Sequence, residues 1–435
     1  MRVMNPRPSE PPTFGINLYG YLTANLGLGV AARNTAEMLL DNGVPVRLVD
    51  VNPGGGMQGR DTSLAEAIAA SSEAGPFSIN LFHINPDQVV YLLDPLRRSV
   101  TLGETLNVCV PFWELPHLPA NWIEPLRAMD AILAPTRFVA QSIVAEVPGA
   151  TVIRYPQAVH VPTDIRADRA AFGLPDDALV FVMSFDLRSD IERKNPWAVI
   201  EAFCQAFPER RDVRLVIQAN NAETIRGLER HVMRLRETAA DPRVVVLDRP
   251  MGYRDVLTLY ASCDVLVSLH RAEGLGLSLL EAMALGKPVV ATAWSGNMDF
   301  MTSANSCEVG YDMIEVVAST QPAYGKGMSG TQQWAEPHVS EAAEWMARLA
   351  DDVDLRTRIG QQARADVERI VARYDRGDPI LGELDKLLAD SRENPSLHAE
   401  AGNRMATQRR NFYLNQGRRI ARAIVHRAKT RMGLR

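Results

Sequence analysis

Short runs of β-branched and aliphatic residues alternate along the chain with longer stretches that are apolar on one side or nearly all round. The short runs fall at 14–19, 44–50, 78–83, 106–111, 131–135 and 152–155, then again at 179–185, 214–218, 244–247, 265–269 and 289–291. They have the length and composition of strands buried in a parallel sheet. The stretches between them predict helices over 30–41, 62–72, 197–207, 254–261 and 277–285, with Thr136 capping one more. Amphipathic helices are expected over 341–349 and 355–371. The first strand, the glycine-bearing loop 20–29 and the helix and strand that follow make a βαβ unit of the kind that nucleotide-binding halves use.

A chain of 435 residues is too long for one hydrophobic core and suits two α/β domains. The polar segment 162–175, with its Asp, Arg and Pro, reads as the linker. The expected division is a first domain over 1–165, a second over 176–390 and a basic helical tail over 391–435. No internal repeat and no low-complexity tract is visible.

One stretch organises the rest. Residues 265–292 read strand, glycine turn, helix, strand. Gly274 and Gly276 let the backbone turn and leave its N–H groups uncovered. The apolar run 277–285 predicts a buried helix, which Gly286 stops and Pro288 keeps from resuming. A helix start behind two glycines is a site for an anion such as a diphosphate. Glu273 on the turn and Glu281 on the helix are eight positions apart, so both can face one ligand lying across the helix start. Carboxylates there accept hydrogen bonds from sugar and ribose hydroxyls. Glu281 lies among Leu279, Leu280, Ala282 and Met283, a poor place for a solvated surface acid.

The run from Glu273 to Val290, Glu-Gly-x-Gly-Leu-x-x-x-Glu-Ala-Met-x-x-Gly-Lys-Pro-Val-Val, resembles the signature of the family 4 retaining glycosyltransferases, also called group 1. The resemblance covers roughly residues 14–375 and is densest in the second half. It implies an α/β fold of the GT-B type, two facing Rossmann-like domains with a cleft between them. It also implies transfer of a sugar from a nucleotide-sugar with retention, without a metal or other cofactor, to a glycan or polyprenyl-linked acceptor. Glu281 would hold the ribose, and Glu273 the donor sugar, with Gly274, Leu275, Gly276 and Leu277 around the diphosphate.

The loop 186–196 carries Arg193 and Lys194 at the end of a strand, where a diphosphate leaving group would be neutralised. The pair matches the family's Arg-Lys element. The family commonly has Gly-Arg at that strand end, whereas Phe185-Asp186 stands here, so Arg188 is the candidate for the missing guanidinium. By resemblance Gly27 and Gly29 lie against the donor phosphates. Their spacing is not GxGxxG, which disfavours a dinucleotide. Trp113, Glu114 and His117 follow a strand at the end where open α/β sheets bind ligands, and are candidates for the acceptor. Core packing for Trp113 and a surface position for His117 are the competing readings. The same fold also hosts nucleotide-sugar epimerases and phosphorylases, and a catalytically silent membrane-associated scaffold is a further alternative.

Composition adds two points. Cys109, Cys204, Cys263 and Cys307 are scattered, with no CxxC pair, which argues for a reducing compartment and against structural zinc. The proline-rich start is not expected to be a signal peptide, and no run approaches the ~20 apolar residues of a membrane span, so a cytoplasmic enzyme is expected. The net charge of −5 conceals an asymmetry: residues 404–435 hold ten Lys and Arg and no acid, leaving 37 basic against 52 acidic residues before them. On a helical wheel Ile420, Ala421, Ile424, Val425, Ala428 and Met432 share a sector, with Arg427 and Arg431 near it. A basic amphipathic helix at an anionic membrane surface is the expected partner contact. A solvated tail, or one packed on the acidic body, is the alternative. No nucleic-acid partner is expected.

Overall fold

The computed structural model describes residues 14–51, 61–75, 77–92, 105–220, 229–316, 319, 324, 331–377 and 380–393. The first domain runs β1 (Ile16–Gly20), α1 (Gly27–Asp41), β2 (Val46–Asp50), α2 (Ala65–Ala70), β3 (Ile79–His83), α3 (Pro86–Leu92), β4 (Leu106–Cys109), α4 (Ala120–Arg127), β5 (Ala131–Ala134), α5 (Arg137–Glu146) and β6 (Val152–Arg154). Its six strands are parallel in the order β2-β1-β3-β4-β5-β6. Every residue of β1, β3, β4 and β5 is buried, as a sheet covered by helices on both faces requires. Asn17, Asn80 and Asn107 stand side by side on β1, β3 and β4, each amide donating to the next carbonyl oxygen at 3.0 Å. This buried ladder is satisfied only in register, so it pins three strands together.

The second domain runs β7 (Leu179–Asp186), α6 (Ile191–Lys194), α7 (Pro196–Ala206), β8 (Val213–Asn220), α8 (Glu229–Thr238), β9 (Val244–Leu247), α9 (Tyr253–Ser262), β10 (Val265–Ser268), α10 (Leu277–Ala284), β11 (Val289–Thr292) and β12 (Cys307–Val309). The sheet is parallel in the order β12-β11-β10-β7-β8-β9. An antiparallel hairpin of β13 (Tyr311–Glu315) and β14 (Gln333–Pro337) follows, then α11 (Val339–Asp351), α12 (Val353–Asp375) and α13 (Leu381–Glu393). The architecture is GT-B, two Rossmann-like domains with a helical C-terminal region.

The last helices return to the first domain. α12 buries Ala363 and Val367 among the residues of α10. Gly360 comes so close to the end of α10 that a Cβ there would lie 2.2 Å from the Gly286 carbonyl oxygen. At its far end Tyr374 shares hydroxyl contacts with Thr35 (2.9 Å) and Tyr155 (2.8 Å), and Leu384 and Leu388 of α13 join the first domain's core.

Several elements escaped the sequence pattern. α3 and α4 begin at or just after prolines that read as loop, and α4 carries Pro125 inside it. α8 is rich in charge and offers little apolar face. Arg193 and Lys194, read as loop, sit on the one-turn helix α6. Gly27 and Gly29 fall inside α1 rather than ahead of it. The expected tail overlaps α13 as far as Glu393; the rest, including the basic run 404–435, lies outside the described residues, as does most of the loops 52–59 and 321–330.

Candidate active site

Two local devices present the ionic residues. Asp190 caps α6, its Oδ1 accepting from the backbone N–H groups of Glu192 (2.8 Å) and Arg193 (3.1 Å). Asn195 then takes a left-handed φ of 54° and caps α7, so the chain turns sharply just after Lys194. On the other side, β10 leads into a turn that carries Glu273, and Gly276, at φ 93°, starts α10 from a left-handed position that glycine adopts without strain.

These devices meet in the cleft. The Lys194 ammonium donates to Glu273 Oε1, and Arg193 Nη1 lies 3.3 Å from the same oxygen while donating to the Ala272 carbonyl at 2.7 Å. Arg193 Nη2 is 3.6 Å from Glu114 of the first domain, whose other oxygen accepts from the Tyr324 hydroxyl at 3.0 Å. Burial opposes ionisation of Glu273, but the Lys194 and Arg193 cations outweigh it and hold the carboxyl down to about 2. Glu273 is therefore an acceptor only at neutral pH. Glu281, 5% exposed and one turn into α10, has no such cation: burial pushes it up to about 8, with the Tyr253 hydroxyl opposing.

A cleft of about 420 Å³ joins these groups. From the second domain it takes Arg188, Arg193, Lys194, Glu273, Gly274, Leu275, Gly276, Leu277 and Glu281, and from the first Gly27 and Glu114. The sequence candidates on the second domain therefore converge. Three first-domain candidates do not. Gly29 packs inside the molecule, where a Cβ would lie 2.3 Å from the Ala24 carbonyl oxygen, so its role is close backbone approach. Trp113 is 3% exposed against Trp122 and Tyr324, with Nε1 donating to the His117 carbonyl, which makes it core rather than a sugar platform. His117 points to a separate cavity of about 640 Å³ beside Arg137, Trp294 and Tyr311, its Nδ1 2.8 Å from Glu146.

Other contacts at the site were not signalled by the sequence. Gly274 is needed less for its own turn than for the domain contact: a Cβ would lie 2.7 Å from the Trp113 carbonyl oxygen. Thr136, besides capping α5, donates to the Gly274 carbonyl at 2.9 Å across the seam. Arg33, a basic residue inside an apolar run, lines the cleft and donates to the carbonyls of Leu22 (3.3 Å) and Ala24 (3.1 Å), bracing the loop before α1. His270, fully buried three residues before Glu273, is a polar residue in an otherwise apolar strand end.

Two facing Rossmann-like domains with a glycine-started helix and paired cations at their seam define the GT-B class. Residues 178–315 match the family described as Glycosyl transferases group 1, in keeping with the resemblance. A D-inositol 3-phosphate glycosyltransferase 2 of Catenulispora acidiphila is 28% identical over 222 residues, covering 46% of this chain and 50% of that protein. A GDP-mannose-dependent monoacylated alpha-(1-6)-phosphatidylinositol monomannoside mannosyltransferase of Corynebacterium glutamicum is 28% identical over 229 residues, 51% of this chain and 50% of that one. The match thus spans about half the length of these curated relatives. Among solved structures, the sucrose-phosphate synthase of Thermosynechococcus elongatus superposes with a TM-score of 0.61 at 15% identity, covering 87% of this chain and all of that one. The HepE protein of Anabaena, bound to UDP and glucose, gives 0.55 at 15% identity over 87% and 99%. At these identities the likeness shows the fold. Among the described residues no helix is long and apolar enough to cross a membrane.

Proposed function

We propose that the protein is a retaining, metal-independent glycosyltransferase that moves a sugar from a nucleotide-sugar to a glycan or lipid-linked acceptor in the assembly of cell-surface polysaccharide. The observation that carries this reading is the meeting of Arg193 and Lys194 with Glu273 at the start of α10, with Glu281 one turn into that helix. As the anomeric C–O bond breaks, charge grows on the diphosphate. The helix start and two protein cations stabilise it there. Lys194 keeps N–H groups beyond the one it gives to Glu273. The ionised Glu273 takes hydroxyls of the donor sugar, and Glu281 the ribose hydroxyls. The acceptor hydroxyl attacks from the face the diphosphate leaves, and its proton passes to a phosphate oxygen of that leaving group. The names of the relatives support the reading: one uses GDP-mannose, and the HepE structure holds UDP and glucose.

The test is product analysis. The purified chain is incubated with UDP-, GDP- and ADP-sugars and candidate acceptors, with and without EDTA, and the product anomer is read by NMR. An α-linked donor should give an α-linked product in EDTA. An inverted product, or activity lost in EDTA and restored by Mn²⁺, overturns the corresponding part of the reading. Sugar released to water alone overturns the transfer.

A further inference from the structure

Two turns lie back to back behind the cleft, one from β10 to α10 carrying Glu273, the other after β11 spanning 293–299. They are joined twice: the Glu273 N–H donates to the side-chain Oγ of Ser295 at 2.8 Å, and the Gly296 N–H donates to the Glu273 carbonyl at 2.8 Å. They fit so closely that a Cβ on Gly296 would lie 2.2 Å from the Gly274 carbonyl oxygen. Ser295, which is not a glycine, is held at φ 78°, a strained backbone that persists only when its surroundings fix it.

His270 supplies the third tie. Its ring is fully buried, with Nδ1 3.0 Å from Ser268 Oγ and Nε2 3.1 Å from Asn297 Oδ1. The Asn297 amide nitrogen donates to the Thr292 carbonyl at 2.9 Å, so the oxygen is the atom facing the imidazole. The Trp294 carbonyl, 3.4 Å from Nε2, is also an acceptor. Two acceptors around Nε2 require a proton there. Nδ1 is then free to accept from the Ser268 hydroxyl, and no further proton is needed.

We infer that His270 is a positioning residue for the sugar-transfer site: its neutral, Nε2-protonated imidazole locks the turn bearing Glu273 to the turn bearing Ser295 and Asn297, and so fixes the Glu273 carboxylate against Lys194 and Arg193. His270 is not among the residues that line the cleft. It acts through the backbone of the residue that does. The inference rests on the proposed transfer reading for its kinetic consequence, whereas the tautomer stands independently of that reading.

The experiment has two arms. In the first, His270→Phe keeps the ring's bulk and removes both hydrogen bonds, and His270→Gln restores a donor near Nε2. Ser268→Ala and Asn297→Ala cut the chain at either end. The His270→Phe variant should lose about 10- to 100-fold in kcat, the effect of a sub-ångström displacement of a reacting group, with the donor KM within about two-fold of wild type. His270→Gln should recover much of the loss, and His270→Phe combined with Asn297→Ala should cost little more than either alone, because both break the same tie. Wild-type kcat in His270→Phe, or a raised KM with unchanged kcat, overturns the role. If His270→Phe does not fold, Ser268→Ala and Asn297→Ala carry the same kinetic criterion. In the second arm, imidazole ¹⁵N shifts of histidine-labelled protein, with His270 assigned by its absence in His270→Gln, should show the Nε2-protonated tautomer across neutral pH. An Nδ1-protonated or doubly protonated ring overturns the inference. A wild-type protein that transfers no sugar but shows the expected tautomer sinks the functional reading alone.

Discussion

Glu281 gives the sharpest test of how this site is built. Its carboxyl sits at about 8 in the folded protein against an ordinary 4.5, because burial among the apolar residues of α10 penalises the charge. An acid whose folded pKa is raised takes up a proton on folding, so its contribution to stability is full below pH 4.5 and declines as pH rises to about 8. At ~1.4 kcal/mol per pKa unit, the full shift corresponds to about 5 kcal/mol. Glu281→Gln keeps the shape and removes the titration. Thermal melts of both proteins without ligand, from pH 5 to pH 9, should therefore nearly coincide at the acid end and separate as pH rises. With about 2–4 °C per kcal/mol for a domain of this size, the variant should melt on the order of 10 °C higher at pH 9. At pH 9, where Glu281 is ionised, the same variant should bind a nucleoside diphosphate about 10- to 150-fold more weakly, the cost of losing a charged hydrogen-bond partner. A melting difference that does not change with pH would refute the burial argument. Equal affinity in the two proteins would remove the ribose role.

Three further outcomes are expected. Lys194→Ala should lower kcat by about 10²- to 10³-fold with a much smaller change in donor Kd, since it removes a donor to the charge that grows as the leaving group departs; equal losses in both, from steady-state kinetics and calorimetry, would make it a binding residue only. Gly274→Ala forces a Cβ onto the Trp113 carbonyl and should cost about 1–3 kcal/mol in chemical denaturation together with activity, whereas Gly382→Ala, with nothing within 4 Å, should be neutral or slightly stabilising; similar denaturation curves for the two variants would contradict the close approach. The 435-residue chain should float with liposomes of anionic lipid at low salt, while a chain truncated after Asn403 should not; identical behaviour of both forms would end the membrane expectation for 404–435.

The parts of the site that lie within one element were legible in the residues. Glu273, Gly276 and Glu281 stand at fixed spacing on one turn and one helix, and Arg193 and Lys194 are adjacent, so periodicity and resemblance reached them. What the sequence hid is the contact across the seam. Glu114 meets Arg193, Thr136 meets Gly274 and Tyr324 meets Glu114 only because two domains close on each other, and no local pattern encodes that. The same blindness explains His117 and Trp113. Both follow a strand at the ligand-binding end, yet one turns to a neighbouring cavity and the other fills the core. In the fold, the strands of both sheets were readable from their apolar runs, except the three-residue edge strand β12. α8 was not, because its charged sequence carries little of the apolar stripe by which a packed helix announces itself.

The return of α12 and α13 to the first domain has a mechanical consequence. The domains are joined by two covalent crossings, the segment 162–175 and the 23-residue helix α12. A single tether leaves a pair of bodies free to twist and slide. Two tethers leave one easy motion, rotation about a line through both, like a door on two hinges. α12 is the stiff one, anchored on α10 through Gly360 and on the first domain by the hydroxyls of Tyr374, Thr35 and Tyr155. Any opening of the cleft would thus be confined to an arc that carries Glu114 away from Arg193.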